Sequence, residues 1–404
     1  PAAADVTSAS QSDLTTTAGG AIVLTAAGQI ILNDGADGDK VAVEAGTTGS
    51  VLIAAGNTIE AAAGVKSGTG SLALLSKQDI IQKQDGDLGT AGPGAISVGA
   101  ATMITMETGA AAQTASGAIR YIAGAALTVG SITTTTGDVF LISIANNVLD
   151  NADPASVVAA AGLRIQASDL IGLSSNALEI DATTLTAKAG DDIVLAEQND
   201  VTVTTVGAVI DAAGTGMPAG AAALLQEYAG LDGATMAALQ QPQSDLSTPQ
   251  SILLTVAGTL TLQDGDTDTF AVQAGGVEIV NTGLATIAAG VTAIGDVTFT
   301  GTGGIRLGAD MAATGYGGIR VDASTMTLTG ERRLTTNNGP IRLDEVLSAT
   351  DLTHTLTLNA GTGAVLIDDN VGAAGARPAG LIIERASTVT LSGETAAADA
   401  TVDA

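Results

Sequence analysis

The chain has 404 residues, 42 of them acidic and 14 basic, so its formal net charge is −28. It has no Cys and no Trp, which excludes disulfides, Cys-ligated zinc and thiol catalysis. With only 3 Tyr and 3 Phe, a conventional enzyme core filled by aromatic rings is disfavoured. Scattered basic residues disfavour nucleic acid as a partner, and charge-free stretches interrupted by Gly, Pro, Ser and Thr disfavour membrane insertion.

Short runs of alternating Val, Ile, Leu and Thr, closed by Gly, Asn or Asp, begin near the N-terminus with AIVLTAAGQIIL and SVLIAAGNTIEAAAG. This alternation is typical of strands between turns. Similar Leu and Ile positions recur every 21 to 23 residues, as in the pairs Leu52 and Leu74, Ile96 and Ile119, Leu163 and Leu185, and Leu307 and Leu328. The recurrence predicts an all-β fold, a right-handed parallel β-helix (β-solenoid) of about 18 coils. Ala, Val, Ile and Leu suit its narrow interior, and Gly suits its corners.

Two acidic turns are the main chemical signal. They lie in NDGADGD and QDGDTDT, and their carboxylates are Asp34, Asp37, Asp39, Asp264, Asp266 and Asp268. Alternating carboxylates can supply the hard oxygen ligands of Ca²⁺, although neither turn completes an EF-hand. The alternative is an ordinary solvated turn. Calcium is the one cofactor that the sequence suggests.

A long repeat organises the chain. QSDLTTTAGGAIVLT from Gln11 matches QSDLSTPQSILLT from Gln243, an offset of 243 − 11 = 232 residues. The intervening MPAGAAALLQEYAGLDGATMAALQQPQ has apolar residues at helical spacing, which predicts a short helical insertion that braces the solenoid or, alternatively, links two rods. The predicted domains are a first solenoid over 1–216, the helical insertion or linker over 217–243, and a second solenoid, a partial repeat of the first, over 244–404.

Two stretches resemble repeats of giant bacterial surface adhesins of the filamentous-haemagglutinin-like group. They are LTTNNGPIRLDEVL and its continuation over Leu334–Gly393, and SITTTTGDVFLISI and its continuation over Ser131–Val203. The resemblance covers about a third of the chain and implies an exported parallel β-helix used as a stalk or adhesive fibre. Its motifs specify the fold rather than a ligand, so no binding residue is carried over.

An enzyme is the alternative, because parallel β-helices include polysaccharide lyases and hydrolases. The nearest acid–base constellation combines Asp368 and Asp369 with the only histidine, His354, and with Arg342 or Arg385. His354 lies in a Thr/Leu alternation that indicates an outward-facing strand residue. We therefore expect no catalysis.

The sequence thus predicts a structural or adhesive fibre component of a bacterial cell surface or extracellular matrix, with a passive spacer stalk as a further alternative. Expected partners are surface glycans or other cells. The ends show no signal peptide and no convincing solenoid cap, which predicts a segment of a longer fibre or a subunit that associates end to end.

Overall fold

The computed structural model describes residues 13–35, 37–210, 218, 221–344, 346–350, 353–372 and 377–392. Strands make up 51% of it and helices 4%, and the strands form the parallel stacked coils of a β-solenoid, which confirms the predicted fold class. The coils number about 14 rather than about 18. Part of the difference is the segment 207–242, which forms helices instead of coils, and a long first coil, since Ile22 pairs with Val51. The described residues divide into two compact units.

Unit 1 comprises residues 1–172 and 207–242. Each of its coils contributes one strand to each of three parallel ladders. Its strands are β1 Leu14–Thr16, β2 Ile22–Ala26, β3 Ile30–Leu32, β4 Val41–Ala45, β5 Val51–Ala55, β6 Ile59–Ala61, β7 Gly64–Ser67, β8 Leu72–Ser76, β9 Ile80–Gln82, β10 Leu88–Thr90, β11 Ile96–Ala100, β12 Ile104–Met106, β13 Ala111–Thr114, β14 Ile119–Ala123, β15 Leu127–Val129, β16 Ser131–Thr134, β17 Asp138–Ser143, β18 Val148–Asp150 and β19 Val158–Ala167.

Unit 1 also contains the predicted helical insertion, as α1 Ala221–Tyr228 and α2 Gly233–Leu239. Helix α1 packs on β8 and β11, which supports bracing of this unit over a linker. Two buried arginines anchor the segment: Arg120 donates from Nε to the Val209 carbonyl (2.5 Å), and Arg164 donates from Nη1 to the Gln241 carbonyl (2.6 Å). Strands β8, β11 and β14 are consequently buried on both faces.

Unit 2 comprises residues 173–206 and 243–404 and is likewise built of three parallel ladders. Its strands are β20 Leu178–Lys188, β21 Ile193–Glu197, β22 Val201–Val203, β23 Leu246–Ser247, β24 Ser251–Val256, β25 Leu260–Leu262, β26 Phe270–Ala274, β27 Gly276–Asn281, β28 Ala285–Ile287, β29 Gly290–Ala293, β30 Val297–Gly301, β31 Ile305–Leu307, β32 Met311–Ala313, β33 Ile319–Asp322, β34 Thr325–Leu328, β35 Arg332–Thr336, β36 Ile341–Leu343, β37 Val346–Ala349, β38 Thr355–Asn359, β39 Ala364–Ile367, β40 Gly380–Arg385 and β41 Thr388–Leu391.

Each unit has a narrow aliphatic core in which buried side chains stack from coil to coil. One column of unit 1 consists of Ile53, Leu74, Val98, Tyr121, Leu141 and Ile165. One column of unit 2 consists of Leu195, Leu254, Ile279, Phe299, Val321, Leu343 and Ile367. Aromatic rings are tolerated singly in these columns, which agrees with the composition.

The register confirms part of the predicted recurrence. Ile96 pairs with Ile119, and Leu307 pairs with Leu328. Leu52 pairs with Ala73 rather than with Leu74, so that prediction is wrong by one residue. The one-residue shift matters because it moves a side chain to the opposite face of the sheet. The pairing of Leu163 with Leu185 stays a prediction.

Glycines line the coil corners as predicted, but for a different physical reason. At Gly94 and Gly117 a Cβ atom would lie under 3.0 Å from the carbonyl of the preceding coil's corner glycine. Neither residue is among those with a positive φ. These corners therefore need Gly for close backbone approach between coils rather than for a left-handed backbone. In the part of the chain that the structure describes, no helix is long and apolar enough to cross a bilayer.

Candidate functional site

The acidic turn of unit 2 forms a carboxylate cluster with a residue from the preceding coil. Carboxylate oxygens of Asp245, Asp266 and Asp268 all lie within 4.8 Å of one another, and we call this group cluster 2. Asp245 precedes β23 and the turn precedes β26, and these two strands pair through Leu246 and Val272. Cluster 2 therefore lies at a corner between two successive coils.

A chain of hydrogen bonds holds the turn in place. Each carboxylate accepts the backbone N–H two residues later: Asp264 from Asp266 (2.9 Å), Asp266 from Asp268 (2.8 Å), and Asp268 from Phe270 (2.8 Å). The structure does not bring Asp264 into cluster 2. It instead orients Asp266, whose second oxygen accepts a hydrogen bond from the Ser244 hydroxyl (2.7 Å).

Unit 1 carries an equivalent group, which we call cluster 1: Asp13, Asp34, Asp37 and Asp39, again with carboxylate oxygens within 4.8 Å of one another. Asp13 precedes β1 and the turn precedes β4, and these strands pair through Leu14 and Val43. Asp39 accepts the N–H of Val41 at 2.8 Å, as Asp268 does for Phe270. The two clusters thus have the same construction on the same 232-residue repeat.

Asp13 and Asp245 are the members that the sequence analysis missed. Both belong to the QSDL motif that opens each copy of the repeat. The signal was present, because a motif one coil before an acidic turn lies beside that turn once the coils stack. Finding it required the length of the coil at this position, which the average recurrence does not provide.

The electrostatics of cluster 2 are unfavourable without a counter-charge. Asp245 is only 6% exposed, and its Oδ1 atom has no hydrogen-bond partner among the described residues. Burial, followed by the charges of Asp266 and Asp268, raises the pKa of Asp245 to about 6. Its backbone adopts a left-handed conformation with φ of 65°. No salt bridge between described residues neutralises this cluster.

Cluster 1 shows the same features in a more exposed setting. Burial and then Asp39, Asp37 and Asp34 raise the pKa of Asp13. The Oδ1 atoms of Asp13 and Asp34 are both buried and have no hydrogen-bond partner among the described residues. The nearby Lys40 pairs with Asp85 at 2.9 Å, outside the cluster.

A ladder of arginines and aspartates crosses one face of unit 2. The Asp344 carboxylate accepts hydrogen bonds from Arg342 Nε (2.6 Å) and Arg320 Nε (3.2 Å), while Arg320 also reaches Asp322 (2.6 Å). Arg342 donates from Nη2 to Asp368 at 3.0 Å, so the structure joins these two predicted site residues. Coil stacking brings these charges together from β33, β36 and the end of β39.

The other members of the predicted acid–base constellation make local contacts. The Asp369 carboxylate accepts the N–H of Asn370 (2.7 Å). His354 is half-buried, with Nδ1 at 3.4 Å from the Thr353 hydroxyl, and its carbonyl accepts the N–H of Ala379 (2.7 Å). Arg385 is exposed at the end of β40.

An open groove on unit 2 contains an exposed aromatic ring. Tyr316 is 88% exposed and lies with the 63% exposed Ile294 along a groove of about 860 Å³, which Glu278 and Asp296 also line. An adjoining groove of about 440 Å³ shares Asp296 and is lined by Arg320 and Arg342. A ring beside carboxylates and arginines is a surface that the sequence analysis did not anticipate.

Comparison with known proteins gives no match: no family model, no curated protein and no solved structure is similar to this chain.

Proposed function

We propose that the protein is a non-catalytic structural and adhesive component of a bacterial cell surface or extracellular matrix. The observation that carries the proposal is the construction of each unit as coils joined by continuous parallel ladders around a narrow aliphatic core. Stacked coils give a stiff scaffold whose outward side chains can vary without disturbing the interior. The resemblance of Ser131–Val203 and Leu334–Gly393 to adhesin repeats supports the same role.

The groove around Tyr316 is the best candidate for the adhesive surface. An exposed ring offers an apolar face on which a sugar ring can stack, and Glu278 and Asp296 offer acceptors for its hydroxyl groups. In a chain with only 3 Tyr and 3 Phe, an almost fully exposed ring has no packing role of its own. A surface glycan is therefore the partner that we propose.

A carbohydrate-active enzyme is the second candidate, favoured by the arginines and carboxylates beside this groove. Asp344 and Asp368 accept charge-assisted hydrogen bonds from Arg342, which stabilises their ionised forms. That arrangement works against a role as proton donor, which glycoside hydrolysis requires of one carboxyl group. We therefore rank binding above catalysis.

Binding to a glycan array and to bacterial and host cells tests the proposal with the whole chain. We expect Tyr316→Ala to weaken binding at least about tenfold, or about 1.4 kcal/mol, while Tyr316→Phe keeps the ring and the affinity. Equal binding by both variants would reject the groove as the adhesive surface. Absence of any binding would favour a passive spacer, and turnover of acidic or neutral polysaccharides that Asp368→Ala abolishes would favour the enzyme.

A further inference from the structure

We propose that cluster 1 and cluster 2 are two equivalent binding sites for a hard divalent cation, with Ca²⁺ as the preferred ion. The proposal is independent of the adhesive function, since it concerns different residues. Each site consists of an acidic turn and the aspartate of the QSDL motif one coil earlier. A bound ion would thus join two successive coils at a corner of the solenoid.

The ligand chemistry fits this ion. Calcium takes six to eight oxygen ligands at 2.3–2.6 Å, so two oxygens on one ion are at most about 5 Å apart. The carboxylate oxygens of each cluster lie within 4.8 Å of one another. Each carboxylate can supply one or two ligands, and water can complete the shell at the exposed side of Asp266 and Asp268.

A buried and unpaired ligand distinguishes these sites from ordinary acidic turns. Asp245 is 94% buried, and its Oδ1 atom lacks a hydrogen-bond partner among the described residues, although its carboxylate faces those of Asp266 and Asp268. A buried carboxylate with two like charges and no cation beside it is costly. A divalent cation at this position would satisfy the free oxygen and neutralise the charge.

The recurrence of the arrangement is a second, independent observation. Cluster 1 repeats the QSDL aspartate, the acceptor bond from the last turn aspartate, and the pairing of the following strands. Its buried oxygens on Asp13 and Asp34 also lack partners among the described residues. The two copies differ in other side chains, as in Lys40 against Thr269, yet both keep the carboxylates.

Calcium titration of the chelator-treated full chain, by calorimetry and by metal analysis after desalting, tests the proposal. We expect two bound ions per chain in the native protein, one in Asp13→Asn or Asp245→Asn, and none in the double variant. Asp369→Asn, which removes a carboxylate outside both clusters, should leave two. Equal uptake by the native chain and the double variant would overturn the proposal.

Melting temperature gives a readout that a merely structural role would not produce. In chelator, Asp245→Asn should melt at or above the temperature of the native chain, because the substitution removes a buried charge. In millimolar Ca²⁺ the native chain should gain stability and the double variant should not, since only a binding-competent native state is stabilised by mass action. Equal melting temperatures of the native chain in chelator and in Ca²⁺ would also overturn the proposal.

Discussion

The contact between helix α1 and strand β11 gives a sharp test of how the helical segment is held in unit 1. Gly99 lies in β11 with its open side toward Leu225 of α1, which is fully buried. A Cβ atom at Gly99 would approach Leu225 Cδ1 to under 3.0 Å and would also contact Leu75 Cδ2 at 3.3 Å. The absence of a side chain at Gly99 therefore makes room for the helix.

We expect Gly99→Val to destabilise unit 1 by about 1–3 kcal/mol, the usual cost of overpacking. A strand by itself would favour Val over Gly by up to about 1 kcal/mol, so a loss must come from the helix contact. Gly89→Val in β10 is the matched control. A Cβ there would contact only Lys66 Cγ, at 3.9 Å, so this variant should be neutral or slightly stabilising.

Urea unfolding followed by circular dichroism measures both variants, and hydrogen exchange over residues 221–239 reports whether α1 and α2 detach. Leu225→Ala alone should cost about 2–5 kcal/mol, because it leaves a cavity between helix and sheet. Combined with Gly99→Val, the added methyl groups fill that cavity, so the two losses should fall short of additivity by about 1 kcal/mol or more. Additive losses, or equal effects of Gly99→Val and Gly89→Val, would refute the packing of α1 on β11.

Three further predictions concern buried groups. Burial raises the pKa of Glu197 from 4.5 to about 7, so the folded chain retains a proton that the unfolded chain loses; stability should fall by about 3 kcal/mol as pH rises through this range. Urea unfolding at several pH values should show this slope in Glu278→Gln, an exposed control, but not in Glu197→Gln; an equal slope in both would contradict the assignment. Tyr121→Phe should cost about 1–2 kcal/mol in urea unfolding, because the Tyr121 hydroxyl donates to the buried Gln82 Oε1 at 2.9 Å and its removal leaves that oxygen unpaired; unchanged stability would contradict this. Phe299→Ala should cost about 3–5 kcal/mol and Phe299→Leu less than about 1.5, and equal costs would show that the column around Phe299 is not tightly packed.

The sequence by itself determined the class of fold, because the two strongest signals are local and additive. Alternation of β-branched and polar residues predicts strands wherever it occurs, and the recurrence near 22 residues predicts that those strands stack. The helical segment was also predictable, since α1 and α2 follow a 3.6-residue periodicity of apolar side chains. The acidic turns were visible for the same reason, as short runs of adjacent residues.

Tertiary structure decided which distant residues meet, since register depends on the length of each coil. A spacing error of one residue places Leu74 opposite Ile53 instead of Leu52, and no local pattern reveals it. Asp245 joined Asp266 only because β23 stacks on β26, which left its carboxylate buried at a coil corner. Likewise, the outward side of Gly99 is buried because a segment more than a hundred residues later folds over it. Packing across coils, rather than propensity along the chain, therefore set the chemistry of both clusters and the covered face of unit 1.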